Sequence, residues 1–190
     1  YIWYKVVGDS NHNDIAPACV TVTIAKKQIT KPAADNSTFT YNGSYQTYAL
    51  NGDPAFIIDN NVQKNAGSYT VTVTLQDTAN YEWTDGTTAV LEYTFKIEQK
   101  EIGISWSNTA LTYNGAAQRP TATATGVVTG EQIALLLSAP ETNAGSYTAM
   151  VRGIDGETAQ NYKLPAGRST TFTIEQQALT IVWGNSNFTY

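Results

Sequence analysis

The chain has 190 residues, of which 42% are hydrophobic and 14% are charged, and its formal net charge is −5. This acidic balance, with no basic run longer than Lys26 and Lys27, argues against nucleic acid and anionic membranes as partners. No apolar stretch is long enough to span a membrane. Cys19 and His12 are each the only residue of their type, which excludes an intrachain disulfide and a zinc site built from several histidines within this sequence.

The first 27 residues contain two candidate strands joined by a polar loop. Residues 2–7 are mostly apolar, and residues 8–14 are rich in Asn and Asp. In residues 20–24, valine and isoleucine alternate with threonine, a period of two that is typical of a strand with one buried face. We expect a strand, a loop and a second strand that includes Val20, Val22 and Ile24.

The same alternation predicts β-structure along the rest of the chain. It is clearest in residues 69–75, where threonine separates the apolar positions, and it returns in residues 93–97 and 147–151. Asn-Gly and Asp-Gly pairs, which favour tight turns, separate the alternating segments. The sequence therefore predicts an all-β fold.

Residues 101–177 contain five predicted strands, around 102–106, 121–127, 133–138, 147–152 and 170–175. Only residues 131–137 have a composition that also suits a single helical turn, and Pro140 follows them closely. We expect a small β-sandwich. The alternative is a β-grasp arrangement in which residues 130–138 form the helix.

Several short sequence motifs, which we call repeated words, occur twice in the chain. Asn-Ala-Gly-Ser-Tyr-Thr stands at 65–70 and at 143–148, Tyr-Asn-Gly at 41–43 and 113–115, and Asn-Tyr at 80–81 and 161–162. Their spacing varies between about 72 and 81 residues, as loop insertions produce in duplicated domains. We predict two complete repeats, 28–100 (the first repeat) and 101–177 (the second repeat). The C-terminal part of a preceding repeat is predicted at 1–27, and the start of a following repeat at 178–190.

Two tryptophans recur near the start of a repeat. Trp106 is matched by Trp183, and Leu111-Thr-Tyr113 is matched by Phe188-Thr-Tyr190, both about 77 residues later. We expect both tryptophans to pack against the core or against the adjacent repeat.

The longest repeated word predicts a tyrosine corner. In immunoglobulin-like sandwiches, a tyrosine at the start of the penultimate strand donates its hydroxyl hydrogen to backbone a few residues upstream. Tyr69 and Tyr147 follow Gly67 and Gly145, which would supply an unusual backbone conformation in the turn. The alternative is that each tyrosine merely opens its strand.

The repeated words, together with Asn80-Tyr81-Glu-Trp83-Thr-Asp-Gly86, resemble the Ig-like and MBG-type repeats of large bacterial surface proteins. The resemblance covers essentially the whole chain. It implies tandem small Ig-like β-sandwich modules, an extracellular location at the cell surface or in the secreted fraction, and an adhesion or stalk role. The family has no catalytic residues and no cofactor to transfer to this chain.

No motif for phosphate binding or metal catalysis is present, and the acidic residues lack the spacing of a calcium loop. We therefore predict no enzyme activity and no cofactor or metal. Aromatic residues are the remaining site candidates, because a flat ring can stack on the apolar face of a sugar. The candidate glycan contacts are Tyr81, Trp83, Tyr45 and Tyr48. For Trp83 the alternative is a hydrophobic lid over the core.

The predicted function is a stalk or spacer, with adjacent repeats of the same polypeptide as partners. Residues 99–101 and 176–177 join one repeat to the next with almost no slack. The alternative is an adhesin or carbohydrate-binding module whose partner is a host or cell-wall glycan or protein. The two partial repeats need cover for their apolar faces. We expect the segment 1–27 to pack on its neighbouring repeat or on another copy of the chain. One specific form is a head-to-tail contact in which 178–190 of one molecule completes 1–27 of the next.

Overall fold

The computed structural model describes residues 1–182 and 184. The described chain is all-β with a sandwich-type arrangement of several sheets, and its helical content is one 3₁₀ turn, Ala159–Asn161. The fold class predicted from the sequence is confirmed. The segment 178–190 lies mostly outside the described residues, and so does Trp183.

The first residues form an antiparallel hairpin and a short strand. The hairpin consists of β1 (Ile2–Val6) and β2 (Ile15–Val20), and β3 (Lys27–Ile29) follows it. The prediction that the second strand includes Val22 and Ile24 is wrong. Strand β2 ends at Val20 because Val20 already pairs with Ile2, the first residue of β1, so no partner remains for later residues.

The first repeat contributes seven strands. They are β4 (Phe39–Thr40), β5 (Gln46–Thr47), β6 (Phe56–Asp59), β7 (Val62–Gln63), β8 (Gly67–Leu75), β9 (Tyr81–Trp83) and β10 (Leu91–Glu98). Four of them form a sheet in the order β4-β10-β8-β6, in which β4 runs parallel to β10. Strands β5 and β7 pair antiparallel, and β3 pairs in parallel with β9.

The second repeat has the same sheet order. Its strands are β11 (Lys100–Glu101), β12 (Gly103–Ser107), β13 (Ala110–Thr112), β14 (Thr121–Thr125), β15 (Ala134–Leu137), β16 (Gly145–Asp155), β17 (Tyr162–Lys163) and β18 (Ser169–Glu175). The four-stranded sheet β13-β18-β16-β15 corresponds strand for strand to the sheet of the first repeat. All five predicted strands are present. The helix that the β-grasp alternative required at 130–138 is absent, because residues 134–137 pair with β16 as a strand.

The chain divides into two compact units that do not follow the repeat boundaries. The first comprises Tyr1–Asp35, Ala49–Asn61 and Thr70–Tyr93, and the second comprises Asn36–Tyr48, Val62–Tyr69 and the chain from Thr94 on. Strands β8 and β10 contribute residues to both units. The boundaries at 28–100 and 101–177 therefore remain a prediction from the sequence repeats.

Each unit has a core built from the buried face of alternating strands. In the first unit Val73 and Leu75 of β8 pack with Phe56, Trp83 and Ile29. The threonines between the apolar positions of β8 do not reach full burial, as the period of two requires.

The core of the second unit contains Ala149 of β16 and Phe172 and Ile174 of β18, with Trp106 packed against them. Trp106 thus packs against the core, as expected from the sequence.

Candidate functional site

The carboxylate of Glu131 joins two tyrosines from different repeats. The Tyr41 hydroxyl of the first repeat donates to Oε1 of Glu131, and the Tyr162 hydroxyl of the second repeat donates to Oε2 at 2.5 Å. The two rings meet edge to face, with centroids 5.6 Å apart and an interplanar angle of 85°. Both tyrosines are only 2% exposed. One half-buried carboxylate is therefore held by both repeats, through two buried tyrosines.

Local turns position the three side chains. Tyr41 follows the edge strand β4, and its backbone N–H donates to the Glu98 carbonyl at 2.9 Å. Glu131 lies in a turn closed by its own N–H donating to the Val128 carbonyl. The N–H of Val128 in turn donates to the Tyr162 hydroxyl oxygen at 3.0 Å. This hydroxyl therefore receives one hydrogen bond and donates another, which fixes its direction.

The pKa shifts of these groups favour an ionised Glu131 and two neutral tyrosines. Burial raises the pKa of Tyr41 to about 12, and its hydrogen bond to Glu131 acts in the same direction. Burial and the same carboxylate also raise the pKa of Tyr162. Burial opposes the charge on Glu131, but the hydrogen bonds from Tyr162 and Tyr41 outweigh it and lower the pKa of this carboxyl group. At neutral pH the cluster holds one carboxylate and two neutral tyrosines.

Asn161 makes the second set of contacts between the repeats. Its side chain, 1% exposed, accepts a hydrogen bond from the Ala66 N–H at 2.9 Å and donates to Oδ1 of Asn65 at 3.3 Å. Nearby, Nε2 of Gln99 donates to the Gln160 carbonyl at 2.9 Å. A buried asparagine is costly unless its polar atoms are paired, so these bonds select one relative placement of the bonded segments.

The covalent connection at this junction has no free linker. Strand β10 ends at Glu98 and β11 begins at Lys100, where it pairs in parallel with β17. Ile102, which follows β11, donates its N–H to the Lys163 carbonyl and is buried. Elsewhere at the junction, Val128 lies against Gly43. A Cβ added at Gly43 would come within 2.5 Å of Cγ1 of Val128.

All of these junction residues belong to the second compact unit. Sequence reasoning did not identify Glu131 as part of a site. It found Tyr41, Asn161 and Tyr162 only as members of repeated words. The signal that was available is that Tyr-Asn-Gly and Asn-Tyr recur outside the alternating strand segments.

The predicted corner tyrosines both donate to backbone carbonyls four residues upstream. The Tyr69 hydroxyl donates to Asn65 at 2.9 Å, and the Tyr147 hydroxyl donates to Asn143 at 3.0 Å. These are the bonds that a tyrosine corner requires. Their contribution to stability remains a prediction.

The reason expected for the two glycines is wrong. Gly67 and Gly145 do not have positive φ angles. An added Cβ would instead come within 3.1 Å and 3.0 Å, respectively, of the hydroxyl oxygen of the corner tyrosine. The tyrosine ring folds back over each glycine, and a side chain there would make an unusually tight contact with it.

The four aromatic residues considered as glycan contacts have different environments. Trp83 is 0% exposed, packs in the core and donates Nε1–H to the Ala89 carbonyl at 2.7 Å. Tyr48 is buried beside Phe95. The expectation of sugar stacking is wrong for these two, because neither ring offers a free face. Tyr81 is half-buried in the first unit, and Tyr45, in the second unit, is exposed.

Within residues 1–182 and 184, no group of three His, Cys, Asp or Glu side chains is placed to hold a metal ion. No helix in the same residues is long and apolar enough to cross a bilayer.

Comparison with known proteins adds no family. No protein-family model matches the chain, and a search of curated proteins gives no significant match.

Proposed function

We propose that this chain is a non-catalytic spacer built from tandem Ig-like repeats of a bacterial cell-surface or secreted protein. The observation that carries the proposal is the junction at Glu131, where one carboxylate receives hydroxyl groups from both repeats. A spacer must transmit position from one repeat to the next. Directional hydrogen bonds and a connection without slack serve that purpose.

The chemistry of the junction also favours a structural role over catalysis. The oxygens of Glu131 are engaged by Tyr41 and Tyr162, and both ring systems are buried. A general acid or base must reach the proton that it transfers, whereas both oxygens of this half-buried carboxylate already accept hydrogen bonds from tyrosines. The bacterial surface location is supported by the resemblance of the repeated words to Ig-like and MBG-type repeats.

Surface display tests the spacer role. The chain is placed between a cell-wall anchor and an epitope, and binding of a bulky antibody conjugate is compared with that of a Gly/Ser linker of equal residue number. Such a linker behaves as a flexible coil. We expect higher epitope accessibility with the intact chain, and lower accessibility when Glu131→Ala and Asn161→Ala are combined. Equal accessibility for all three would contradict the proposal.

Glycan binding is the second candidate function, and the observation in its favour is the exposed ring of Tyr45, with 75% of its surface open to solvent. A glycan array with the intact chain and with Tyr45→Ala decides between the two. Saturable binding that is lost in Tyr45→Ala would support an adhesin. We expect no such binding, because a single exposed ring provides little contact area.

A further inference from the structure

The second repeat carries an uncovered copy of the surface that the first repeat uses at the junction. We call this copy the trailing surface, and it consists of Tyr113, Asn143, Ala144 and Gln176. With Gln177 and Leu179, these residues line a depression of about 500 Å³. All of them belong to the second compact unit.

The backbone framework is the same in both copies. Tyr41 donates its N–H to Glu98 at 2.9 Å, and Tyr113 donates its N–H to Glu175 at 2.8 Å. The glycines of the two Tyr-Asn-Gly turns have φ angles of 81° and 80°. In both turns the asparagine side chain accepts an N–H two residues later at 2.9 Å. The corner tyrosines, Tyr69 and Tyr147, also make equivalent hydrogen bonds to carbonyls four residues upstream. The turn and the corner of the second repeat therefore already have the hydrogen bonds that the first repeat has when it is covered.

The two copies differ in how much of each is covered by other residues. Tyr41 is 2% exposed beneath Glu131 and Tyr162, whereas Tyr113 is 38% exposed. Gly43 lies against Val128, whereas nothing lies within 4 Å of a Cβ placed at Gly115. Leu179, which the repeat spacing matches to the buried Ile102, is 95% exposed. The same framework is thus closed in one copy and open in the other.

We propose that the trailing surface is the docking site for one further repeat of the same kind as residues 101–177. The docked repeat supplies a carboxylate that accepts a hydrogen bond from the Tyr113 hydroxyl. It also supplies a tyrosine ring that packs edge to face against the Tyr113 ring. It also supplies an asparagine side chain to Asn143 and the Ala144 N–H, as Asn161 does for Asn65 and Ala66. The inference rests on the proposed spacer function and deepens it, because it names the partner of each repeat.

A second copy of the chain fits the surface less well. Its first repeat offers Asp53 and Tyr81 at positions that the repeat spacing matches to Glu131 and Tyr162. In that repeat, however, β3 already pairs with β9, and Ile29 fills the position that Leu179 would need. The docked repeat must instead use residues 177–179 as its own first strand, as the second repeat uses residues 100–102.

The test lengthens the full chain. A copy of residues 114–177 is appended after Tyr190, because Tyr190 is matched to Tyr113 and the appended segment then completes a repeat that starts at 178. Amide hydrogen exchange at Ala144 is measured by NMR in the original and the lengthened chain. We expect exchange at Ala144 to slow by roughly tenfold or more in the lengthened chain, because the hydrogen bond must open before exchange. We also expect Tyr113 to become less accessible to tyrosine-modifying reagents.

Matched variants assign the effect to the docking contacts. Asn→Ala at the appended copy of Asn161 should restore fast exchange at Ala144 and leave Ala66 protected. Asn161→Ala at the original position should do the reverse. An appended segment that stays unfolded, or that folds without slowing exchange at Ala144, would overturn the inference. Protection of Ala144 in the original chain that rises with protein concentration would also overturn it, in favour of a second copy. None of these outcomes depends on the surface-display result, so failure of the docking site and failure of the spacer role are separable.

Discussion

Tyr69 and Tyr147 each hold a turn through one hydroxyl group. We expect Tyr69→Phe and Tyr147→Phe each to lower the free energy of unfolding by roughly 0.5–1.5 kcal/mol, the value of one hydrogen bond. Thermal unfolding of the full chain measures the change, and Tyr45→Phe is the control, because Tyr45 is exposed. Unchanged melting in both corner variants would refute the tyrosine-corner assignment.

Gly43 and Gly115 form a natural matched pair at the residue scale. Both have φ near +80°, so Ala is strained at either site, by about 1–2 kcal/mol. Only Gly43 faces Val128, at a distance that leaves no room for a methyl group. We expect Gly43→Ala to destabilise the chain more than Gly115→Ala, by roughly 1–3 kcal/mol from overpacking. Equal losses in chemical denaturation would mean that Val128 does not close on this turn.

Strands with the same sequence pattern differ in stability according to their neighbours. The hairpin of β1 and β2 has no further strand in its sheet, whereas β8 and β10 lie at the centre of a four-stranded sheet. Apolar side chains of the hairpin such as Ile2, Trp3 and Val20 are exposed. A two-stranded sheet of this kind is marginal in water.

Hydrogen exchange should show this difference between elements. We expect amides of β1 and β2 to exchange within the fastest class of the structured chain, and amides of β8 and β16 to exchange among the slowest. Limited proteolysis should likewise cut first between residues 7 and 26. Slow exchange in the hairpin that depends on protein concentration would show that another chain covers it, as the predicted head-to-tail contact requires.

Across the whole molecule, we expect the junction to make the coupling between repeats dependent on pH. The pKa of Glu131 is lowered in the folded chain, so its contribution is present above the unfolded value near 4.5 and is lost as pH falls through the folded value. The pKa of Tyr41 is raised from 10.0 to about 12, so its contribution is present below pH 10 and is lost as pH rises toward 12. We expect the repeats to unfold together at neutral pH and in separate steps at either extreme.

Calorimetry between pH 3 and pH 7 checks the acid limb, within the range where carboxylates titrate. Glu131→Gln should remove most of the pH dependence of the coupling, because the amide cannot ionise. Glu157→Gln is the control, because Glu157 is exposed. A pH profile that is the same in both variants would mean that Glu131 does not couple the repeats.

The sequence by itself determined the fold class, the positions of the main strands and the existence of repeated segments. Alternation of apolar residues with threonine requires strands, since the side-chain period of two follows from backbone geometry alone. The same local rules explain the errors. The strand predicted through Val22 and Ile24 ends early because pairing needs a partner. The sequence leaves both a lid role and a glycan role open for Trp83, because the residues around it do not show whether its ring is buried.

Only the tertiary structure decided where the repeats touch. The junction is formed by Glu131, Tyr41 and Tyr162, which lie far apart in the chain. Glutamate and tyrosine also occur at many exposed positions, so their residue types alone do not mark a contact between repeats. Their hydrogen bonds depend on how one folded repeat lies against the next, a long-range property that local periodicity does not encode. The open trailing surface shows the same limit, because Tyr41 and Tyr113 belong to the same sequence word and only their three-dimensional surroundings distinguish them.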